Sequence, residues 1–451
     1  MRPRILILIA SVLLAYLNAF RGAFQFDDFN VIVNNPSVHS LQAWFEGAAG
    51  GIRPLLKLSY TLNWVAGGGP FGFHLFNTSV HSLNTVLVYL LFVRLIERTP
   101  SLSEREASLA PMGAALIFAL HPVQTEAVTY ICGRSASLMA FFYLAGAYAY
   151  LKGADSGRWR HVISPALFAA SVMVKETAVT FPFALALLEF CRGGRKGVKE
   201  IARRQWAHWA ALFLLLAIML GSRGYNYFIS VSVAERPLVE NVLSQINGVA
   251  YLITRFFFID RLNIDPDLPV ITGWSPAVIA TSVLLVIFFV IGILSLKRRP
   301  WIGFGILWFF LHLIPTNSIL PRLDIANERH LYLAGAGLFL AFMVEAAKIT
   351  GALGAVKVKV VFFIFLLIIG SFTVRRNHVY RSETALWEDT AGKSPSKARV
   401  FNNLGYAYSA EGRIDEARLA YLEALRLRPG FKTAERNLLS LDRSKLKGTP
   451  Y

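Results

Sequence analysis

The chain has 451 residues, of which 55% are hydrophobic, 13% aromatic and only 16% charged. With a mean hydropathy of +0.48 it is too apolar for an ordinary soluble domain, and the composition indicates a polytopic membrane protein. The net charge of +18 therefore bears on which side of a membrane the Lys and Arg residues occupy, and we expect no nucleic-acid partner.

The N-terminal segment, MRPRILILIASVLLAYLNAF, has the basic start and apolar middle of a signal peptide. It lacks a clear A-x-A cleavage site, so we interpret it as an uncleaved first span. Apolar runs that could cross about 30 Å of hydrocarbon predict eleven spans in all. They lie near residues 4–20, 74–96, 108–121, 134–151, 161–174, 176–191, 205–221, 276–296, 301–314, 330–347 and 357–374.

Lys and Arg are concentrated in the loops on the same side as the N-terminus, including RGGRKGVKEIARR, residues 192–204, and KRRP, residues 297–300. The positive-inside rule places these loops in the cytoplasm, and an odd number of spans then leaves the C-terminal tail outside. Residues 240–258 could form a twelfth span, but that would move KRRP outside. We interpret them as an interfacial or re-entrant helix within an outer loop, residues 222–275.

The charged tail carries the pattern of one 34-residue tetratricopeptide repeat, in ARVFNNLGYAYSAEGRIDEARLAYLEALRLRPG. The matching positions are Phe401, Leu404, Gly405, Tyr408, Ala417, Tyr421, Ala424 and Pro429. We predict an all-α membrane helical bundle over residues 1–375, with outer loops 21–73 and 222–275, and a tetratricopeptide-repeat domain over residues 376–451. The repeat is either a docking surface for a protein partner or acceptor, or a helical cap on the membrane domain.

Polar residues from loops far apart in sequence fall on the predicted outer side. Any single ionisable group at a span end can simply be solvated, but their convergence on one face favours a functional site. These residues are Asp27, Asp28, Asn34, Asn35, Arg53, His74, His81, His121, Gln124, Glu126, Arg134, Lys175, Glu176, Arg322, Asp324, Glu328, Arg329 and His330.

Several kinds of chemistry find no support in the sequence. It contains no P-loop, no G-x-G-x-x-G at a strand–helix junction and no G-x-S-x-G elbow, so nucleotide-powered and serine-hydrolase mechanisms are not indicated. His74 and His81 share one face of the second span, but no H-x-x-x-H or H-E-x-x-H spacing accompanies them. Packing or hydrogen bonding is the preferred interpretation for both histidines.

The ordered motifs resemble those of the TMTC-type proteins of the GT-C glycosyltransferase superfamily, over nearly the whole chain. They are the acidic pair after the first span, RPLLKLSYTLNW leading to GFHLFNTSVHSLNTVLVYLL, HPVQTEAVTYICGR, KETAVTFPFALALLE, NERHLYLAGAGL and the trailing repeat. Eukaryotic relatives are protein O-mannosyltransferases. The resemblance implies a GT-C bundle with its active site on the non-cytoplasmic face, a polyprenyl-phosphate-linked sugar donor, and a Ser or Thr hydroxyl of an exported protein as acceptor. The single repeat here leaves extended acceptor recognition open.

The resemblance also implies roles for individual residues. An aspartate in the first outer loop of such enzymes is thought to deprotonate the acceptor, which points to Asp27 or Asp28, with Asp27 slightly favoured. Arg329 and Lys175, followed by Arg134, are the candidates that would bind the donor phosphate. The sugar or acceptor pocket, or a site for Mg²⁺ or Mn²⁺, would draw on Glu126, Glu176, His81, His121, Glu328 and His330. Whether the reaction needs a metal is left open.

Two other functions are compatible with the same sequence. A transporter or polymerase of lipid-linked glycans would also have many spans and basic outer loops, although inverted repeats or ionisable groups deep in the spans are not evident. A non-enzymatic scaffold that presents the repeat to a partner is the second alternative. For all of these we expect a multi-pass protein of a bacterial or archaeal inner membrane, with the site and the repeat facing outside.

Overall fold

A computed structural model describes residues 2–48, 51–97, 102–153, 157–192, 198–349 and 355–447. Within these ranges the fold is all-α, as predicted, with no β-strand. The α-helices are α1 Arg2–Ala15, α2 Leu41–Ala48, α3 Pro54–Val65, α4 Pro70–Ile96, α5 Glu104–Leu120, α6 Thr125–Val128, α7 Arg134–Lys152, α8 Ser164–Val174, α9 Phe181–Cys191, α10 Val198–Arg204, α11 Trp206–Gly221, α12 Arg223–Glu235, α13 Leu238–Thr254, α14 Pro276–Arg298, α15 Pro300–Leu313, α16 Leu331–Ile349, α17 Ala355–Val379, α18 Glu383–Lys393, α19 Ala398–Ala410, α20 Ile414–Leu427 and α21 Lys432–Lys447. Short 3₁₀ or π turns lie at Leu17–Arg21, Phe29–Val33, Pro36–Val38, Pro122–Gln124, Ile131–Gly133, Trp159–Ile163, Glu176–Thr180 and Glu328–His330.

Each apolar segment predicted as a span falls largely on one α-helix, but the helices differ in length. Four helical segments are long and apolar enough to cross a membrane, namely Pro70–Ile96, Pro276–Arg298, Glu328–Ile349 and Lys357–Val379. The number rises to six if α5 with Pro122–Val128, and α11 with α12, each count as one bent span. The chain is thus a helical membrane protein with four to six candidate spans, while the count of eleven stays a prediction.

The exposed apolar surface supports a membrane environment. In α14 and α17 the most apolar stretches have mean hydropathies of 3.0 and 2.2, yet only 11% and 17% of their residues are buried within the protein. Such surface is unfavourable in water, and lipid is the solvent that suits it. By contrast, α4 and α16 are mostly enclosed by neighbouring helices, and α16 packs between α5 and α15.

The predicted orientation depends on basic loops that the structure covers only in part. Segments of these loops, at residues 98–101, 154–156, 193–197 and 350–354, lie outside the described residues. The cytoplasmic position of the N-terminus and the outside position of the tail therefore remain predictions.

Two sharp bends follow from the local sequence. The α5 helix ends at Leu120 because His121 precedes a proline and adopts an extended conformation, with φ −73° and ψ 127°. The chain then turns by 56° into Pro122–Val128. Ser222 is extended in the same way, and there α12 leaves α11 at 78°. At each bend a single polar residue, His121 or Ser222, separates the two helical segments.

The tail packs on the bundle through a continuous core. Leu386, Trp387, Val400 and Leu404 of the tail belong to the same buried cluster as residues of α1, α4 and α16. Within the tail, α19 lies close to α20: a Cβ atom at Gly405 would lie 2.7 Å from ring carbons of Tyr421. This is the close approach for which the repeat pattern selects small residues.

A substitution at Gly133 tests how closely the backbone segments between α5 and α7 pack against each other. A Cβ atom at this position would lie 1.9 Å from the backbone oxygen of Glu126, and a backbone atom cannot rotate away as a side chain can. We expect Gly133→Ala to destabilise the protein by about 1–3 kcal/mol, seen as a lower thermal midpoint in detergent.

Gly47→Ala is the matched control, because a Cβ atom there, in α2, has no atom within 4 Å. In a helix this change should be neutral or stabilise by about 0.5–1 kcal/mol. Equal midpoints for the two variants would show that the turn at Gly133 can widen without cost.

Candidate active site

The loop after α1 is held in place by the carboxyl group of Asp28. This side chain is 1% exposed. Its Oδ2 accepts a hydrogen bond from the backbone N–H of Gln25 at 3.0 Å, and its Oδ1 accepts one from the backbone N–H of Cys132 at 2.9 Å. Burial raises the pKa of Asp28 to about 7, and these hydrogen bonds act in the opposite direction. Asp28 therefore joins two loops and is unsuited to meet a substrate.

Its neighbour Asp27 is placed differently. The backbone N–H of Asp27 donates to the Tyr130 hydroxyl at 3.1 Å, and Asp27 lines a cavity that is partly open to the surface. The residue before it, Phe26, has a φ of +49°, a left-handed conformation that is rare for a residue with a side chain. Phe26 is held there by the tail, since its ring meets Trp387 edge to face at 5.1 Å between centroids. The structure thus separates the two aspartates by environment.

The cavity has a volume of about 120 Å³. Its lining carries four basic side chains and a single carboxylate, that of Asp27, so basic groups outnumber acidic ones in the lining. The residues that line it are Asp27, Val31, Arg53, Leu56, Tyr60, Cys132, Ser135, Lys175, Arg322 and Arg329. These residues come from loops and helix ends spread over 300 positions of sequence, and they meet at one end of the bundle.

Arg53 and Arg322 are oriented by a shared carboxylate, that of Glu176. Arg53 donates two hydrogen bonds, from Nε to Oε2 at 2.9 Å and from a terminal nitrogen to Oε1 at 2.7 Å. Arg322 lies 3.4 Å from the same Oε1. Arg53 has a φ of +54°. Within the described ranges it and Phe26 are the two non-glycine residues with positive φ, and both flank the cavity, where strain is characteristic of functional sites.

Lys175 is the least compensated charge of the cavity. It is 5% exposed, and in the part of the chain that the structure describes its ammonium forms no ion pair within 4.0 Å. Burial lowers the pKa of Lys175 well below its usual range, and the guanidinium groups of Arg329, Arg53 and Arg322 add to this effect. A bound anion would reverse that repulsion.

Arg329 completes the set of cations and is supported by Glu126. The backbone N–H of Arg329 donates to Oε2 of Glu126 at 3.0 Å, and its Nε lies 3.6 Å from Oε1. Glu126 is 1% exposed, so it acts behind Arg329 and does not line the cavity. Of the candidate phosphate-binding residues, the structure brings Lys175 and Arg329 together beside Asp27.

Arg134, the third such candidate, lies elsewhere. It is fully buried, and its guanidinium donates to Oδ1 of Asn77 at 2.6 Å, to the backbone oxygen of Ser59 at 3.0 Å and to that of Phe73 at 3.2 Å. It also lies over the rings of Phe73 and Phe76. With its donors engaged by α3 and α4, Arg134 ties helices together, and the structure does not place it at the cavity.

Two of the candidate histidines, His81 and His121, also lie away from the cavity and form hydrogen bonds within the protein. His81 is enclosed in α4, with Nδ1 2.7 Å from the Tyr332 hydroxyl and Nε2 3.2 Å from the backbone oxygen of Ala119. His121 accepts from the backbone N–H of Val123 at 3.2 Å, and its Nε2 is 3.3 Å from the oxygen of Phe256. Neither lines the cavity.

His330 and Glu328 flank Arg329 but diverge. His330 lies 3.0 Å from Oδ1 of Asn317 and lines a narrow space of about 20 Å³ that shares Lys175 and Arg329 with the cavity. Glu328 points the other way, accepting from the backbone N–H of Asn263 at 2.6 Å. Within the described ranges no group of three or more His, Cys, Asp or Glu side chains is arranged to hold a metal ion.

Two charged cavity residues, Arg53 and Arg322, are given no role by the sequence analysis. Both carry charge on predicted outer loops, but their partner Glu176 lies more than a hundred positions from each of them. No local pattern could pair them. A second opening, a groove of about 230 Å³ between α12 and residues 321–329, shares Arg322 and Arg329 with the cavity.

Several known proteins similar to this chain are named protein O-mannosyl-transferases. No family model matches the chain. The protein O-mannosyl-transferase TMTC1 of Mus musculus is 23% identical over 562 residues, covering 95% of this chain and 58% of the relative. The protein O-mannosyl-transferase F38B6.6 of Caenorhabditis elegans is 25% identical over 460 residues, covering 95% and 63%. The protein O-mannosyl-transferase Tmtc2 of Drosophila melanogaster is 33% identical over 205 residues, covering 40% and 20%.

The resemblance to TMTC-type proteins is therefore confirmed over most of the chain. The chain spans about three-fifths of the length of the mouse and nematode relatives. These relatives are animal proteins, so the expected bacterial or archaeal inner membrane stays a prediction.

The same substitution should affect the stability of the protein differently at the two aspartates. In Asp28→Asn, the side-chain NH₂ group would face one of the two backbone N–H groups that donate hydrogen bonds to the carboxyl group of Asp28. The loss of that hydrogen bond should lower the free energy of unfolding by about 1–3 kcal/mol. Asp27→Asn removes no such contact and should leave stability within about 0.5 kcal/mol of the parent protein. Thermal unfolding in detergent measures both, and equal losses for the two variants would contradict the assignment of Asp28 as the structural residue.

Proposed function

We propose that this protein is a glycosyltransferase that moves a sugar from a polyprenyl-phosphate-linked donor to a hydroxyl acceptor, a Ser or Thr of an exported protein. The single observation that carries this proposal is a cavity in which one carboxylate, Asp27, shares the lining with four cationic side chains. The names of the relatives suggest mannose as the sugar. The proposal includes the predicted topology, with the cavity on the non-cytoplasmic face.

The lining suits each part of this reaction. Asp27 takes the proton of the acceptor hydroxyl as its oxygen attacks the anomeric carbon. The bond between that carbon and the phosphate oxygen breaks, and polyprenyl phosphate leaves with the electron pair. Lys175, Arg322 and Arg329 stabilise the negative charge on the leaving phosphate, and because Glu176 and Glu126 already hold two of these cations in place, little reorganisation is needed.

The groove between α12 and residues 321–329 gives the donor a second contact region. It opens next to Arg322 and Arg329 and is lined in part by Phe228 and Val231 of α12. A phosphate at the two arginines would leave the first isoprene units beside these apolar side chains. These apolar contacts suit a lipid-linked donor, and the groove is also lined by polar side chains that include Ser232, Glu235 and Asn327.

Asp27→Asn should lower transfer by about 10²–10⁴-fold, the usual contribution of a general base. The assay uses purified protein in liposomes with a panel of polyprenyl-phosphate sugars and a Ser/Thr peptide, with and without Mg²⁺ or Mn²⁺, and scores glycopeptide. Asp260→Asn, at an exposed aspartate of the outer loop 222–275, is the matched control and should be as active as the parent. Full activity of Asp27→Asn would refute the assignment, and absence of any product across the panel would refute the function.

Donor binding should weaken as the pH rises. The pKa of Lys175 is lowered, so its ammonium loses its proton at a lower pH than a solvent-exposed lysine, and with it the attraction to phosphate is lost. Lys175→Arg should remove most of this pH dependence, because a guanidinium stays charged. The measurement is the affinity for polyprenyl phosphate across the neutral to alkaline range, and the same slope in both proteins would exclude Lys175 as the titrating group.

A further inference from the structure

The tail makes dense polar contacts with two loops of the membrane domain. Asp265, in the loop between α13 and α14, is 2% exposed and is the centre of these contacts. Arg399 of α19 donates to Asp265 twice, from Nε to Oδ2 at 2.9 Å and from a terminal nitrogen to Oδ1 at 2.6 Å. The ammonium of Lys397 pairs with the same carboxylate, and the Ser394 hydroxyl donates to the Asp265 backbone oxygen at 2.8 Å.

Arg399 also reaches a second carboxylate, that of Asp324, with which it forms an ion pair. Burial by itself would raise the pKa of Asp324, but the charge and hydrogen bond of Arg399, together with the charges of Lys397 and Arg329, outweigh it and lower that pKa. Asp324 lies between Arg322 and Arg329 in sequence, and both of those arginines line the cavity. One guanidinium thus connects the tail, the loop before α14 and the loop that carries two of the four cations.

The other wall of the cavity is tied to the tail as well. The Phe26 ring, next to Asp27, packs on Trp387 of α18, and the Gln25 amide donates to the backbone oxygen of Tyr380. The loop that carries the proposed base and the loop that carries the phosphate-binding arginines therefore both rest on residues beyond α17. A tail attached only for docking would not need contacts at these points.

We infer that Arg399 is a positioning residue for the proposed transfer reaction: by bridging Asp265 and Asp324 it fixes Arg322 and Arg329 at the phosphate site. The inference rests on the proposed function for the ligand, but the link itself is a property of the fold. Planar, forked guanidinium groups can join two carboxylates in this way, and a lysine cannot reproduce the geometry. The tail is thereby part of the active site's framework as well as a surface for partners.

The test compares Arg399→Gln with Arg426→Gln in the full-length protein. Arg426 lies in α20 of the same tail and pairs with Glu423 on the same helix, so it serves as the matched control. Two readouts are used, hydrogen exchange of residues 318–330 and affinity for polyprenyl phosphate. We expect Arg399→Gln to speed exchange in that segment and to weaken binding by about tenfold, and Arg426→Gln to change neither.

Asp324→Asn breaks the same ion pair by changing the carboxylate. It therefore shows whether the effect of Arg399→Gln comes from this ion pair or from another change at Arg399. The double variant should lose no more affinity than the stronger single variant, because both changes break one interaction. Unchanged exchange in Arg399→Gln, or additive losses in the double variant, would overturn the inference. If the parent protein does not bind polyprenyl phosphate, the proposed function fails, while the exchange data still decide whether Arg399 holds the loop.

Discussion

The arrangement of the site depends on one buried carboxyl group. Asp28 uses its two oxygens to accept the backbone N–H groups of Gln25 and Cys132, and so it fastens the loop after α1 to the turn before α7. Its neighbour in sequence then faces the other way. The two adjacent acids therefore lie in different environments, and the contacts of the first determine where the second lies.

The cations of the cavity show how a cluster of like charges is held without a ligand. Bringing positive groups together in a partly buried space is unfavourable, and the structure offsets this with carboxylates behind the cavity. Glu176 supports Arg53 and Arg322, and Glu126 supports Arg329. Lys175 is left without such a partner among the described residues. With Asp27 counted beside Glu176 and Glu126, the basic groups exceed the carboxylates by one, which suits an anionic ligand.

Much of this could be predicted from the sequence, for definite reasons. Apolar runs predict membrane helices, and the ends of these helices predict which polar residues lie on the same side of the membrane. The sequence therefore predicts that Asp27, Lys175 and Arg329 lie on one side, and the structure brings them into one cavity. Local pattern says nothing, however, about which way a side chain turns. Arg134 opens a helix at the expected level but is taken up by backbone oxygens of α3 and α4, and the pairing of Arg53 with Glu176 joins residues that no spacing rule connects. The different environments of Asp27 and Asp28 likewise follow from the hydrogen bonds that Asp28 accepts, which the sequence does not predict.

The size of the cavity has a consequence for where the proposed substrates could bind. At about 120 Å³ it is smaller than the roughly 300 Å³ at the lower end of pockets for drug-sized ligands. On the proposed function, the donor headgroup and the acceptor side chain would therefore extend beyond this space into the adjoining groove of about 230 Å³, which shares Arg322 and Arg329 with the cavity.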